Sequence, residues 1–406
     1  MEERKPSEGS FIVSKSFLLL FSLILNSVTW FYLIVYIWFL TPNPIPFASE
    51  LSMIFYISVL MSMLIGPIIA ERFNRMRFLL FWIILGIISS LLPIVLGPTL
   101  GKSEVAFLLA FWGVAFGIGF PSCLALIPSL TKTEKRGRIN GVIFGITYII
   151  LFLFFIGIKD FSFFSQSLVL AGWRSLSFLS IFIYTGVEVA GQLRTVSYSS
   201  ILRRKTFLLY LLPWLAFVII NYFEGMVVEP KEEFLGASLA VVVGAMEFSL
   251  GAIFCFVSGW LMDLRGRRLT IIIGLVMLGL GFALLSFFPL NSIVLAFYII
   301  SDSIAFGIFT VAFISVVWGD ISTGERAERF YALGTMPILL ALALSTLLSS
   351  VLEGVSKNTA FSLASFFLFL AVIPIFFAPE LLPEKLVKER EIRKYAEEAK
   401  KIAGRA

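Results

Sequence analysis

The sequence predicts an all-α membrane protein with twelve transmembrane helices arranged as two six-helix bundles. Three observations predict it. Apolar residues come in runs of about 20, the length a helix needs to cross about 30 Å of hydrocarbon. Lysine and arginine alternate between rich and poor segments. The second half of the chain repeats motifs of the first.

Composition supports the first observation. Of 406 residues, 59% are hydrophobic and 14% charged, with a mean hydropathy of +0.98. A soluble domain carries roughly 25% charged residues, and a β-barrel would show short alternating segments instead. Apolar runs fall at roughly 16–40, 47–70, 77–97, 105–130, 140–158 and 171–192, then at 206–227, 235–262, 269–288, 291–318, 330–351 and 359–378. The stretch from Phe161 to Gly172 fits an outer loop, a re-entrant piece or the start of span six. The first run is too long for a signal-peptide core, so it is expected to be an uncleaved span.

The second observation sets orientation. With the N-terminus in the cytoplasm, 27 of the 32 lysines and arginines fall in inside segments. This bias predicts a multi-pass protein of the cell membrane with both termini cytoplasmic. It also explains the net charge of +6 without nucleic acid, because the basic residues sit in short loops and in the tail. The expected organisation is a cytoplasmic N-terminus (1–15), a first bundle (16–192), a cytoplasmic linker (193–205), a second bundle (206–378) and a cytoplasmic amphipathic tail (379–406). In that tail Ile392, Tyr395, Ala399 and Ile402 recur at helical spacing among lysines and glutamates. A solvated helix and a contact with lipid headgroups or a partner both fit.

The third observation is the repeat. Pro67 to Arg75 matches Gly259 to Arg267, Ala115 to Ile118 matches Ala305 to Ile308, and Glu134 to Arg138 matches Glu325 to Arg329. The offsets are 192, 190 and 191, in the same order and at equivalent topological places. Such spacing indicates a duplicated six-span unit whose halves enclose a midplane cavity.

The segment Gly259-x-Leu261-x-Asp263-x-x-Gly266-Arg267-Arg268 between spans eight and nine resembles the loop signature of the major facilitator superfamily. The resemblance covers the whole chain through repeat and topology. It implies a secondary transporter working by alternating access, with no cofactor and with the bundles latched on the cytoplasmic side. Asp263 and Arg267 would serve the second-half latch, with Gly259, Gly266, Arg268 and Arg138 around them. Glu71 and Arg75, with Arg72 and Arg329, would serve the first. An acid at a helix end can stabilise the positive N-terminal end of its neighbour. The first copy departs from the pattern: Pro67 stands for glycine, Asn74 for the turn glycine and Met76 for the second basic residue. Asn74 is expected to keep the turn by tolerating the left-handed conformation. Other family features are missing. Gly113 stands where span four usually has an embedded arginine, and span five lacks the kink of proton–drug antiporters. Pro379 to Glu384 resembles the sugar-porter ending without its partner motif after span six.

Ionisable residues within spans are costly and mark candidate sites. Arg174 is expected at the outer start of span six, which leaves no basic residue deep in a span and makes a poor trap for anions. Asp302 and Glu247 lie 18 and 16 residues before Asp320 and Asp263, about 27 and 24 Å along a helix, near the midplane. In the superfamily, span ten lines the cavity, which favours Asp302. Both acids also fit as carboxyls satisfied by serine or backbone groups. Glu224 lies five residues from Glu229-Pro230, near outside water. Asn26, Trp30 and Tyr32 in span one, and Trp214 and Asn221 in span seven, offer hydrogen bonds and an aromatic wall, or simply packing. The expected partners are a small-molecule solute, protons and the lipid bilayer, for a monomer. Efflux of a cationic or amphipathic compound and uptake of a neutral solute such as a sugar remain open, and a non-transporting sensor or scaffold is the alternative. With no histidine, nucleotide loop, metal cluster or nucleophile–base pair in the sequence, the reading is of a protein that is not an enzyme.

Overall fold

The computed structural model describes residues 15–40, 47–97, 100–158, 161–183, 193–227, 237–289, 291–352 and 355–383; for residues 40, 182–183, 224–227, 237–248 and 349–352 it describes the backbone alone. The tail from residue 384, and with it the amphipathic helix expected there, lies outside the described residues, as does the N-terminus before Lys15.

Twelve long helical runs follow one another among the described residues. In the first half they are α1 (Lys15–Phe39), α2 (Ser52–Ala70), α3 (Arg75–Leu96), α4 (Lys102–Leu130), α5 (Arg136–Ile158) and α6 (Phe163–Ile183). In the second they are α7 (Lys205–Val227), α8 (Ala237–Arg265), α9 (Arg267–Phe287), α10 (Ser292–Ile321), α11 (Glu328–Leu352) and α12 (Lys357–Phe377). Ten of them are long and apolar enough to cross a bilayer, and α6 and α8 complete the expected twelve. The chain is a multi-pass helical membrane protein.

The packing repeats with a shift of six helices. In the first half α2 packs on α4, α3 on α4 and α6, and α1 on α5 and α6. In the second, α8 packs on α10, α9 on α10 and α12, and α7 on α11 and α12. The pairs that join the halves, α5 with α8 and α2 with α11, exchange under the same shift. The repeat read from three short motifs is thus a repeat of the whole bundle.

Two elements differ from expectation. The first is α6, which begins at Phe163 rather than near residue 171, so the ambiguous stretch is its first half. Gln166 and serines interrupt its apolar run there, but their polar atoms are satisfied within the bundle: Gln166 donates to the Ile158 carbonyl and Ser167 to the Phe163 carbonyl. The second is the turn at Asn74, which is not left-handed (φ −62°, ψ 131°). Asn74 instead caps α3, its side-chain oxygen accepting from the Met76 and Arg77 amides, as an N-cap residue does. Gly266, its counterpart, does adopt positive φ, at 101°.

Candidate functional site

The arginine-rich end of the bundle is closed by two sets of contacts between the halves. In the second-half set, Asp263 at the end of α8 reaches the start of α5. Its two carboxylate oxygens accept from the Gly137 and Arg138 amides, each at 2.9 Å. An anion here meets the positive end of a helix and two of its unpaired N–H groups. Arg267 at the start of α9 donates to Asp263 at 3.1 Å and to Asp320 at 2.9 Å, and across the halves to the Thr133 carbonyl at 2.6 Å. Arg136 of α5 pairs with the same Asp320 at the end of α10. The side chains of Asp263, Arg267 and Asp320 are fully buried. A carboxylate is kept dry only where cations and donors replace its water, and Asp320 has two guanidinium groups for this. Backbones meet here as well: a side chain on Gly137, Gly141 or Gly259 would lie 2.4–2.6 Å from a carbonyl of the facing helix.

The first-half set uses the equivalent positions with different chemistry. Glu71 at the end of α2 pairs with Arg329 of α11 at 2.8 Å. Arg75 at the start of α3 pairs with Glu328 at 2.6 Å and donates to Ser129 at 2.9 Å. These side chains are wetter, with Glu71 24% exposed. The linker adds a third contact: Arg204 pairs with Glu325 at 2.7 Å, and Arg194 bridges to Glu325 along the backbone. Beside it Tyr198 donates to the Leu64 carbonyl at 2.7 Å, and burial raises its phenol pKa against the pull of Arg329.

Among the expected latch residues, Glu71, Arg75, Asp263, Arg267, Arg138 and Arg329 therefore meet across or beside the interface. Arg138 is the looser partner, 3.7 Å from Asp263. Arg268 instead faces the end of α12, its amide donating to Glu380 and its side chain to the Ala378 carbonyl, while Arg72 is exposed. Sequence reasoning passed over Arg136, Asp320, Glu325 and Glu328. A signal was present for all four, since each is a charged residue at or near a helix end, within a repeated motif or beside one. The spacing Gly137-x-x-x-Gly141-x-x-x-Gly145 also announces close helix contact and was not used.

Between the halves lies a cavity of about 400 Å³. Helices of both bundles line it: Val28, Phe31, Tyr32, Val35 and Phe39 from α1, Tyr56 and Met63 from α2, and Phe116 and Phe120 from α4. Phe155 of α5, Tyr222 of α7, Ile314 of α10, and Thr335, Ile338, Leu339 and Leu342 of α11 are the other described residues of the wall. None of these residues is charged, and the polar atoms of their side chains are three phenols and one hydroxyl. The rings pack on one another, Phe31 against Phe116 at 4.3 Å and Phe116 against Phe120 at 4.6 Å. At Ile314, α10 takes a π-helical turn, Thr310–Val316, a distortion often found at functional sites.

Of the expected substrate residues, only Tyr32 lines this cavity among the described side chains. Asn26 is committed within the first bundle, its amide donating to the Trp173 carbonyl and its oxygen accepting from Arg174 and Ser177. Trp30 is fully buried and donates to Ser90 at 2.9 Å. Trp214 donates to the Gly334 carbonyl at 2.9 Å and stacks on Phe313. Asn221 and Asp302 are half-buried and off the cavity wall. The side chains of Glu224 and Glu247 lie outside the described residues.

Arg174 corrects the sequence reading. It stands midway along α6, fully buried. The misplaced start of span six had put it at the membrane edge. The expectation of spans without an embedded cation therefore fails, and with it the argument that such a protein is a poor binder of anions. Both cysteines, Cys123 and Cys255, are free and buried. No group of residues suited to a metal ion occurs among the described residues.

No family model matches the sequence, and no curated protein does. Its backbone is similar to a solved structure of the major facilitator superfamily proton:xylose symporter XylE bound to 6-bromo-6-deoxy-D-glucose. The TM-score is 0.58 at 14% identity, over 90% of this chain and 94% of that one.

Proposed function

From a chain with the major facilitator fold, we propose a secondary transporter that moves a small amphipathic solute by alternating access. The observation that carries this reading is the cavity, lined by both halves and shut off at the arginine-rich end by ion pairs between them. In this reading that end is cytoplasmic, both termini lie inside, and the conformation is the one closed to the cytoplasm. Rocking the two bundles about the cavity breaks the ion pairs and opens the inner side.

The lining favours one of the two solute classes left open by the sequence. A sugar presents many hydroxyls, and each loses water on binding unless a side chain replaces it. XylE is a xylose symporter with a glucose derivative bound, but three phenols and one hydroxyl among apolar walls are a sparse set for such a ligand. The same walls suit an aromatic or branched apolar body with one polar end.

Asp302 and Glu247 remain the proposed proton-coupling groups, Asp302 acting beside the cavity rather than on its wall. Flux of aromatic amphiphiles and of simple sugars into proteoliposomes, with and without a pH gradient, tests the proposal. Accumulation of an amphiphile that depends on the gradient and is lost in Asp302→Asn is expected. Sugar flux in place of amphiphile flux overturns the solute class. Unchanged rate and pH response in Asp302→Asn removes the coupling role.

A further inference from the structure

Arg174 is an expensive residue. Burying a lone cation costs several kcal/mol even after relaxation, and arginine does not escape by losing its proton. Its surroundings are built for it. Nη1 donates to Asn26 Oδ1 at 3.1 Å and to Ser27 Oγ at 2.9 Å. The guanidinium carbon lies 4.2 Å from the centre of the Trp82 ring and 4.8 Å from that of Trp30, an arrangement that stabilises a desolvated cation. Gly86 leaves room, since a side chain there would lie 2.7 Å from Nε. All these partners are neutral. Nε and Nη2 have no hydrogen-bond partner, and no described carboxylate pairs with the group.

This charge sits one ring behind the cavity wall. Trp30, which covers the guanidinium, packs against Phe116 of the wall at 6.2 Å. The 4.8 Å and 6.2 Å steps laid end to end place the charge at most 11 Å from the Phe116 ring. Ser27, which accepts from Arg174, directly precedes the wall residue Val28. Water does not screen a charge so placed as it would at a surface.

We infer that Arg174 selects the charge of the solute, and that the solute is a lipophilic carboxylic acid with an aromatic or branched apolar body. The inference rests on the cavity being the binding site for an amphipathic solute, as proposed above. The apolar wall takes the body, the phenols of Tyr32, Tyr56 and Tyr222 are available to the carboxylate, and the buried cation supplies the field. At roughly 10 Å and an effective dielectric of about 20, a unit charge shifts the affinity of an ion on the order of tenfold. The opposing groups are the carboxyls of the second half: Asp302, half-buried off the wall, and Glu224 and Glu247. If they dominate, the order of affinities reverses, which makes the inference directly testable.

The test uses three ligands with one apolar body: naphthylacetate, naphthylacetamide and naphthylethylamine. Their affinities are measured by calorimetry on the full-length protein in phosphatidylcholine nanodiscs near neutral pH, with empty nanodiscs subtracted. The wild-type protein should bind the carboxylate on the order of tenfold more tightly than the amide, and the amine more weakly than either. Arg174→Gln should bring carboxylate affinity down to that of the amide and leave the amide unchanged. Ser27→Asp, which neutralises the charge without removing it, should do the same and serves if Arg174→Gln does not fold. Arg174→Lys should keep the preference. Tightest binding of the amine by the wild-type protein overturns the inference, as does an unchanged preference in a folded Arg174→Gln or Ser27→Asp variant. Failure of all three ligands to bind the wild-type protein instead overturns the reading of the cavity as an amphiphile site.

Discussion

The two latches occupy equivalent places in the repeat and solve the same problem with different chemistry. Asp263 corresponds to Glu71 and Arg267 to Arg75, each at an offset of 192, and Arg136 and Glu328 open α5 and α11. The second-half latch is dry: Asp263 accepts from two backbone amides of α5, and Arg267 and Arg136 share Asp320. In the first-half latch Ser129 stands at the place equivalent to Asp320, at an offset of 191, and Arg75 finds its carboxylate on Glu328 instead. The first residue of α5 is thus a cation and that of α11 an acid, and a complementary pair is kept. The backbones differ too. Gly259 and Gly137 let α8 and α5 touch, where Pro67 takes the place of Gly259 on α2. The difference teaches that a duplicated unit can keep ion pairs between its halves while changing the residues that make them and how deeply they are buried.

The largest effect is expected at Asp320. Asp320→Asn leaves Arg136 buried without a counter-charge and Arg267 with Asp263 alone, and removal of one partner from a buried pair costs about 3–5 kcal/mol. Thermal unfolding in nanodiscs should show a loss of this order, and a loss no larger than that of Glu71→Gln would break the comparison.

Next is Gly141→Val. A side chain there meets the Cys255 carbonyl, with 2.6 Å to the first carbon, so α5 and α8 must separate. Labelling of a cysteine placed at Thr335 on the cavity wall, with reagent supplied from the arginine-rich side, should increase several-fold. Labelling equal to that of the unsubstituted background would show that the glycine contact is dispensable.

These elements show what the sequence could and could not reveal. Span count, repeat and the places where charged residues pair between the halves were legible because polar punctuation and clustered charge survive translation into structure with little ambiguity. Asn74 was misread in detail: it keeps the turn as a cap and not through a left-handed backbone. The cavity was largely illegible. In a soluble helix the apolar face marks the core, but lipid and protein interior are equally apolar. Asn26 and Trp30 therefore gave no sign that they face the inside of their own bundle, whereas Tyr32 on the same helix faces the cavity. Arg174 was misplaced because a polar first half hid the start of α6.

The smallest stability effect belongs to the first-half pair. Glu71→Gln and Arg329→Gln should each cost about 1 kcal/mol or less, as partly exposed pairs do, and raising the salt concentration should shrink the difference from wild type. A cost that exceeds that of Asp263→Asn, or one indifferent to salt, would reverse the assignment of strength.

The central claim is that the α5–α8 latch, more than the α2–α11 latch, holds the arginine-rich end closed. It is tested most directly by the distance between spin labels at the exposed positions Arg77 and Arg265, one in each half. The measurement compares the wild-type background with Asp263→Asn and Glu71→Gln in lipid nanodiscs. A longer-distance population is expected to grow in Asp263→Asn, while Glu71→Gln stays close to the background. Equal shifts in the two variants, or a larger one in Glu71→Gln, would contradict the account.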